Sequence, residues 1–173
     1  MSTVYLALGA NLGDRAAALG AALDLLRESG QVTVDAVSSL YETAPMYVTD
    51  QPAFLNAVAR VETPLVPEAL LDLLKQVEVA RGRVSRYRYG PREVDLDILL
   101  YDDLVLDTPR LSIPHMGLRE RAFVLAPLAE LAPRLTIPGT TDTVESLLPA
   151  ARQAGAVRLV RDAGWYALNT PAE

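Results

Sequence analysis

The 173-residue chain contains no cysteine. That excludes disulfides, thiolate metal sites and cysteine nucleophiles. It has one histidine, His115, so a multi-histidine metal centre is excluded as well. The only lysine is Lys75, and the Gly-Lys-Ser/Thr ending of a P-loop is missing. No apolar run approaches the roughly 20 residues needed to cross a bilayer. At the N-terminus no basic segment precedes an apolar one, so neither a membrane span nor a secretory signal is expected. Phenylalanine occurs twice, as Phe54 and Phe123. The net charge of −6 weighs against a general nucleic-acid binder. Half of the residues are hydrophobic, which is enough for one globular domain at this length. The chain is expected in the cytoplasm.

What is present concentrates around residues 90–101. Val94, Leu96 and Ile98 alternate with Glu93, Asp95 and Asp97. That is the period of a strand with one face buried, and it sets Asp95 and Asp97 side by side on the other face. Two neighbouring carboxylates repel unless a cation lies near them. Mg²⁺ suits such a pair, because it takes one or two carboxylates and leaves positions for phosphate oxygens. Alone, an Asp-x-Asp reads as a strand with a wet polar face.

Upstream, residues 81–92 carry five arginines (Arg81, Arg83, Arg86, Arg88 and Arg92) and no acid. Guanidinium forks match phosphate oxygens. Gly82, Gly90 and Pro91 make the run a loop. Taken alone it is a solvated basic loop or a nucleic-acid patch. Beside paired carboxylates it reads as a polyphosphate site.

In chain order, residues 3–8 form a first strand. The Gly9-Ala10-Asn11-Leu12-Gly13 turn follows, then a helix over 15–29 capped by Asp14. Its backbone amides could hold an anion, although a plain turn is the simpler reading. Residues 31–43 and 54–62 read as strands, and Pro67 opens a helix to about residue 80. After the Asp strand come a turn at Asp102-Asp103 and a short return strand over 104–106. His115 lies in a loop, a helical segment spans 118–132, and a last helix spans 143–154. The order predicts an α+β fold: a ferredoxin-like split βαββαβ sheet with helices mainly on one face and additional C-terminal elements. The other face is left to carry the site. Residues 1–155 form the domain. Residues 156–173 are an extension with an edge-strand candidate at 157–161 and a tail that frays from Leu168.

Five blocks carry a family resemblance: Gly9 to Gly13, Ser38 to Pro45, Asp50 to Asn56, Gly90 to Tyr101, and Pro114-His115 through Arg121-Ala122-Phe123-Val124-Leu125. In this order, over roughly residues 3–150, the chain resembles the 6-hydroxymethyl-7,8-dihydropterin pyrophosphokinases of folate synthesis. The resemblance implies pyrophosphoryl transfer from ATP to the pterin hydroxymethyl group, with AMP released. It implies two Mg²⁺ ions on Asp95 and Asp97, with Arg83 and Arg92 beside them in catalysis. Pterin contacts fall on Thr43, Pro45, Phe54, Asn56 and Phe123, and ATP contacts on Glu78, Arg83, Arg92, Ile98, His115 and Arg121. The chain departs from the pattern at Tyr47, where the family usually has glycine, at Ser85, where a second arginine is common, and at Tyr89, where Trp is frequent.

The expected partners are small molecules, ATP and the pterin, with no nucleic acid and no membrane, and the working unit is a monomer. The loops over 44–52 and 82–90 are expected to close over nucleotide and exclude water. Two other readings stand beside this one. A non-catalytic ligand-binding module on the same fold would need no paired carboxylates. A single-strand nucleic-acid binder would use the Arg/Tyr loop and stay bound at moderate salt.

Overall fold

The structure is a computed structural model and describes residues 1–43, 52–81 and 93–168. Pro45, Arg83 and Arg92 lie outside the described residues, as do Tyr47, Ser85, Tyr89 and nearly all of the two loops expected to close.

The first strand, β1, runs Ser2–Ala10. Helix α1, Arg15–Glu28, follows the glycine turn. Gly13 has φ +64, which a side chain would strain, and Asp14 accepts from the Ala17 amide at 3.2 Å. The turn thus serves the helix start, and Asp14 already occupies the amide end that an anion would need. The expected strand over 31–43 is broken into β2, Thr33–Val37, and β3, Leu40–Thr43. At the break the Ser38 hydroxyl accepts from the Val58 amide and donates to the Ser39 carbonyl. A side chain able to bond the backbone locally interrupts the ladder here.

Both pieces pair with β4, Phe54–Thr63, which also pairs antiparallel with β1. Helix α2, Pro67–Ala80, leads toward β5, Asp95–Tyr101, which pairs with the other side of β1. The order β5-β1-β4-β3, with β2 also on β4, is the split βαββαβ sheet. A small hairpin, β6 (Leu106–Asp107) and β7 (Ser112–Ile113), follows. It replaces the expected return strand.

Alternation along the strands divides the core in two. Leu6, Leu8, Leu55, Ala57, Leu96 and Ile98 lie in the core that also takes in Leu19, Leu23, Leu70 and Leu74 of α1 and α2. Tyr5, Val58, Leu99 and Leu100 face the other way, with Leu118, Val124, Leu125 and Leu128. A register shift between Tyr5 and Leu6 lets β5 turn two successive leucines toward that second face. The additional C-terminal elements account for much of its cover: α3, Ala122–Leu131, and α4, Val144–Ala154, capped by Thr143. The second face is therefore open only in part. Its Tyr5 and Val58 positions are covered, and the row at Gly9 lies toward the opposite strand ends.

The C-terminal extension adds β8, Arg158–Arg161, antiparallel to β3. Trp165 then donates through Nε1 to the Ser38 carbonyl at 2.8 Å, and the Tyr166 hydroxyl donates to Asp24 of α1 at 2.7 Å. Leu168, expected to fray, packs against the α1–α2 core.

Candidate active site

Strand register builds the site. Asp95 on β5 stands opposite Gly9 on β1, Gly9 opposite Asn56 on β4, and Asn56 opposite Tyr41 on β3. One step along, Asp97, Ala7 and Val58 form a parallel row. Phe54, two residues before Asn56, points to the same face and stands opposite Thr43. The carboxylate pair and Asn56 are thus separated by one strand, about 10 Å at the usual strand spacing. The residues on that intervening strand are glycine and alanine, so little side-chain bulk fills the gap. A Cβ on Gly9 would come within 3.4 Å of Asn56 Oδ1.

Asn56 is 7 % exposed, and its Nδ2 has no hydrogen-bond partner among the described residues. A buried amide donor left unmade costs stability, and such a group facing an open row is poised to meet a ligand acceptor. Phe54 and Phe123 are half-buried, neither of them fully taken into a core. Phe123 sits in the first turn of α3 with the Arg121 guanidinium 5.7 Å from its ring centre.

Burial, and after it the charge of Asp95, pushes the Asp97 carboxyl up to about 7. Lys75 and Arg121 oppose that rise and Glu78 adds to it, so all four groups lie within electrostatic reach of Asp97. A carboxylate held in this state favours a cation beside it. Among the described residues no cluster of three or more acid, histidine or cysteine side chains forms a closed metal cage. Two carboxylates without a cage fit Mg²⁺, which shares its coordination with water and substrate phosphates.

His115 follows a cis Ile113–Pro114 bond, and its amide donates to the Leu99 carbonyl of β5 at 2.9 Å. Its Nδ1 accepts from the Gly117 amide at 3.1 Å, which leaves the proton of the neutral ring on Nε2 as a donor. Burial, then the charge of Arg121, lowers its pKa, with Asp95 opposing. Arg121 itself lies across Gly117: a Cβ there would fall 2.5 Å from its Nε and 2.6 Å from its Cζ.

The structure therefore brings Asp95, Asp97, His115 and Arg121 together, with Asn56 one strand beyond and Phe54 at the end of that face. Two expected contacts are qualified. The Ile98 side chain is buried on the α1–α2 side of edge strand β5, so it does not reach the carboxylate face. The Thr43 hydroxyl is engaged elsewhere, donating to the Ala156 carbonyl at 3.4 Å. Glu78 is buried and ion-paired with Lys75 at 3.1 Å. Lys75 and Gly117 were missed by sequence reasoning. The lone lysine one helical turn from Glu78 was a visible signal for the first, and nothing local marked the second.

The family model for 7,8-dihydro-6-hydroxymethylpterin-pyrophosphokinase (HPPK) matches residues 5–133. The chain belongs to this family. It is 46 % identical over 156 residues to the 2-amino-4-hydroxy-6-hydroxymethyldihydropteridine pyrophosphokinase of Pseudomonas aeruginosa, covering 90 % of this chain and 96 % of that one. It is 45 % identical over 137 residues to the protein of that name from Bacillus subtilis, covering 79 % and 82 %. Solved Plasmodium falciparum HPPK-DHPS with pteroate aligns at TM-score 0.70 and 18 % identity, over 86 % of this chain and 42 % of that longer one. This structural likeness speaks for the fold. No helix among the described residues is long and apolar enough to cross a membrane.

Proposed function

We propose that this chain transfers the pyrophosphoryl group of ATP to the hydroxymethyl oxygen of 6-hydroxymethyl-7,8-dihydropterin and releases AMP, in folate synthesis. The hydroxymethyl oxygen attacks the β-phosphorus in line. A new O–P bond forms, the bond from the β-phosphorus to the oxygen bridging it to the α-phosphorus breaks, that oxygen leaves with AMP, and the hydroxyl proton is released to solvent. Family membership supports the reading. The observation that carries it is the juxtaposition, on the partly open sheet face, of the Asp95–Asp97 pair and, one strand away, the Nδ2 of Asn56, buried and without a partner among the described residues.

Such a transfer needs positioning and charge neutralisation more than covalent help from the protein. Asp95 and Asp97 hold two Mg²⁺ ions in this reading. Bound there, magnesium offsets phosphate charge and lowers the pKa of the attacking hydroxyl. Arg121 supplies fixed positive charge, and the Nε2–H of His115 donates to a phosphate oxygen. Arg83 and Arg92, by their place in the sequence, extend that charge along the triphosphate. Asn56 orients the polar edge of the pterin, while Phe54 and Phe123 supply aromatic faces for it. The main chain of Thr43 meets the same edge, Pro45 is assigned to it by its place in the sequence, the main chain of Ile98 lies by the adenine, and Glu78 fixes the nucleotide through Lys75. The same proposal takes the enzyme to be a cytoplasmic monomer.

The test is AMP formation measured with each component left out in turn. AMP is expected only when ATP, the pterin and Mg²⁺ are all present. Asp95→Asn and Asp97→Asn are expected to abolish it with the circular dichroism spectrum unchanged. Near-normal turnover in both variants would remove the metal assignment.

A further inference from the structure

Away from the carboxylate pair, the carboxylate of Glu42 at the end of β3 lies between two guanidiniums from opposite ends of the chain. Oε2 is 3.1 Å from Arg15 Nη2 in the first turn of α1, and Oε1 is 3.0 Å from Arg158 Nη2 on β8. Arg15 also donates through Nη1 to the Ala53 carbonyl at 2.8 Å, immediately before β4. One guanidinium therefore ties the end of β3 to the start of β4. Two nearby bonds act in the same sense: the Asn11 amide donates to the Pro52 carbonyl at 3.0 Å, and the Thr43 hydroxyl donates to the Ala156 carbonyl.

Alternation turns Glu42 away from the face that carries Tyr41 and Thr43, so it does not face the proposed site. Its neighbours do: Thr43 stands opposite Phe54, two residues from Asn56. Charge determines what its loss would do. With the carboxylate present, two attractions hold β3, β4 and β8 in register. Without it, Arg15 and Arg158 are left as like charges at one point, and attraction becomes repulsion. Glu42 and Arg15 are each only about one quarter exposed, so solvent screens their pair less than an open surface pair, whereas the arm to Arg158, which is 73 % exposed, is screened more.

We infer that Glu42 is a positioning residue for the pterin end of the site, acting through Arg15 and Arg158 to fix the strand ends that present Thr43, Phe54 and Asn56. This rests on the pterin assignment of those three residues. It also gives the C-terminal extension a part in substrate binding through Arg158.

The experiment measures KM for pterin and for ATP, kcat and melting temperature in Glu42→Gln and Arg158→Gln. Glu42→Gln is expected to raise the pterin KM roughly five- to tenfold, the scale of a coupled network, while the ATP KM stays within about twofold. Arg158→Gln, on a side chain that is 73 % exposed, is expected to raise it by about twofold. The double variant should do no worse than Glu42→Gln. A fall in melting temperature with both KM values unchanged, or raised equally, would reduce Glu42 to a structural role and overturn the inference. If Glu42→Gln does not fold, Arg158→Gln decides: an unmoved pterin KM counts against the clamp. Absence of wild-type turnover would overturn the functional reading and the clamp with it. Turnover without the split would overturn the clamp alone.

Discussion

The two faces of one strand, β5, make opposite demands on sequence. Toward α1 and α2 it presents Leu96 and Ile98, each 2 % exposed or less and sealed among leucines. Toward the other side, one residue out of step, it presents Asp95 and Asp97, with glycine and alanine beside them on β1. The first face is stabilised by contact and leaves no room. The second keeps room and holds its charges at the expense of stability, as the raised pKa of Asp97 records. The lesson is that a two-residue period can place a core and the proposed site on the same seven residues, provided the neighbouring strand is small on one side only.

Substitutions should separate the two faces. The largest effect on chemistry is expected from Asp95→Asn and Asp97→Asn, each lowering kcat/KM by at least about 10³-fold, because charge stabilisation of the transferring group is the main catalytic contribution. Neither should lower the melting temperature in Mg²⁺-free buffer, and Asp97→Asn should raise it slightly by removing a charge held in a disfavoured state. On the sealed face, Leu96→Ala should cost about 2–5 kcal/mol of stability in urea titration while the ATP and pterin KM values of the remaining folded enzyme stay near normal. A Leu96 variant that lost substrate affinity without losing stability would erase the distinction.

Between these extremes lie Gly9 and Gly117. Gly9→Val puts a branched side chain in the row between Asp95 and Asn56 and should raise the pterin KM by roughly tenfold or more. Gly117→Ala drives a methyl into the Arg121 guanidinium and should raise the ATP KM several-fold with a small change in stability, since the tip of a flexible side chain gives way.

The smallest expected effect is on pH dependence. Asp97 titrates in the folded protein at about 7, above the ordinary carboxylate range. Its contribution to the stability of the ion-free protein is complete in acid, below the ordinary carboxylate pKa, and is lost as pH rises through about 7. Mg²⁺ needs the deprotonated form. Added Mg²⁺ should therefore raise the melting temperature more at about pH 8 than at about pH 5.5. An equal increment at both would mean that Asp97 is ionised throughout.

The alternation from Val94 to Ile98 was enough to read β5, the paired carboxylates and the side-chain direction of Ile98. The last follows only if the period is applied without exception: the residue expected beside adenine belongs to the apolar face. Helix periodicity marked α1 and α2 with Asp14 and Pro67 at their starts, but it could not say that α3 and α4 lie across the second face. That depends on tertiary packing of Leu125 and Leu128 against Val58 and Leu99. The break at Ser38-Ser39 was hidden for a similar reason, since a serine reads as strand until its hydroxyl finds a backbone partner. Within the proposed site, the carboxylate pair was legible as a feature of one strand, and what makes room around it was not. Gly117 clears space for Arg121 four residues along, and Glu42 gathers arginines 27 residues before it and 116 after it. Such relations exist only once the chain has closed on itself.

The most direct test follows the phosphorus. ³¹P NMR of a mixture of ATP, 6-hydroxymethyl-7,8-dihydropterin and Mg²⁺ with the enzyme should show AMP and a pterin diphosphate growing together in equal amounts. Formation of ADP with a pterin monophosphate, or of AMP without any pterin ester, would contradict attack at the β-phosphorus on the Asp95–Asp97 face.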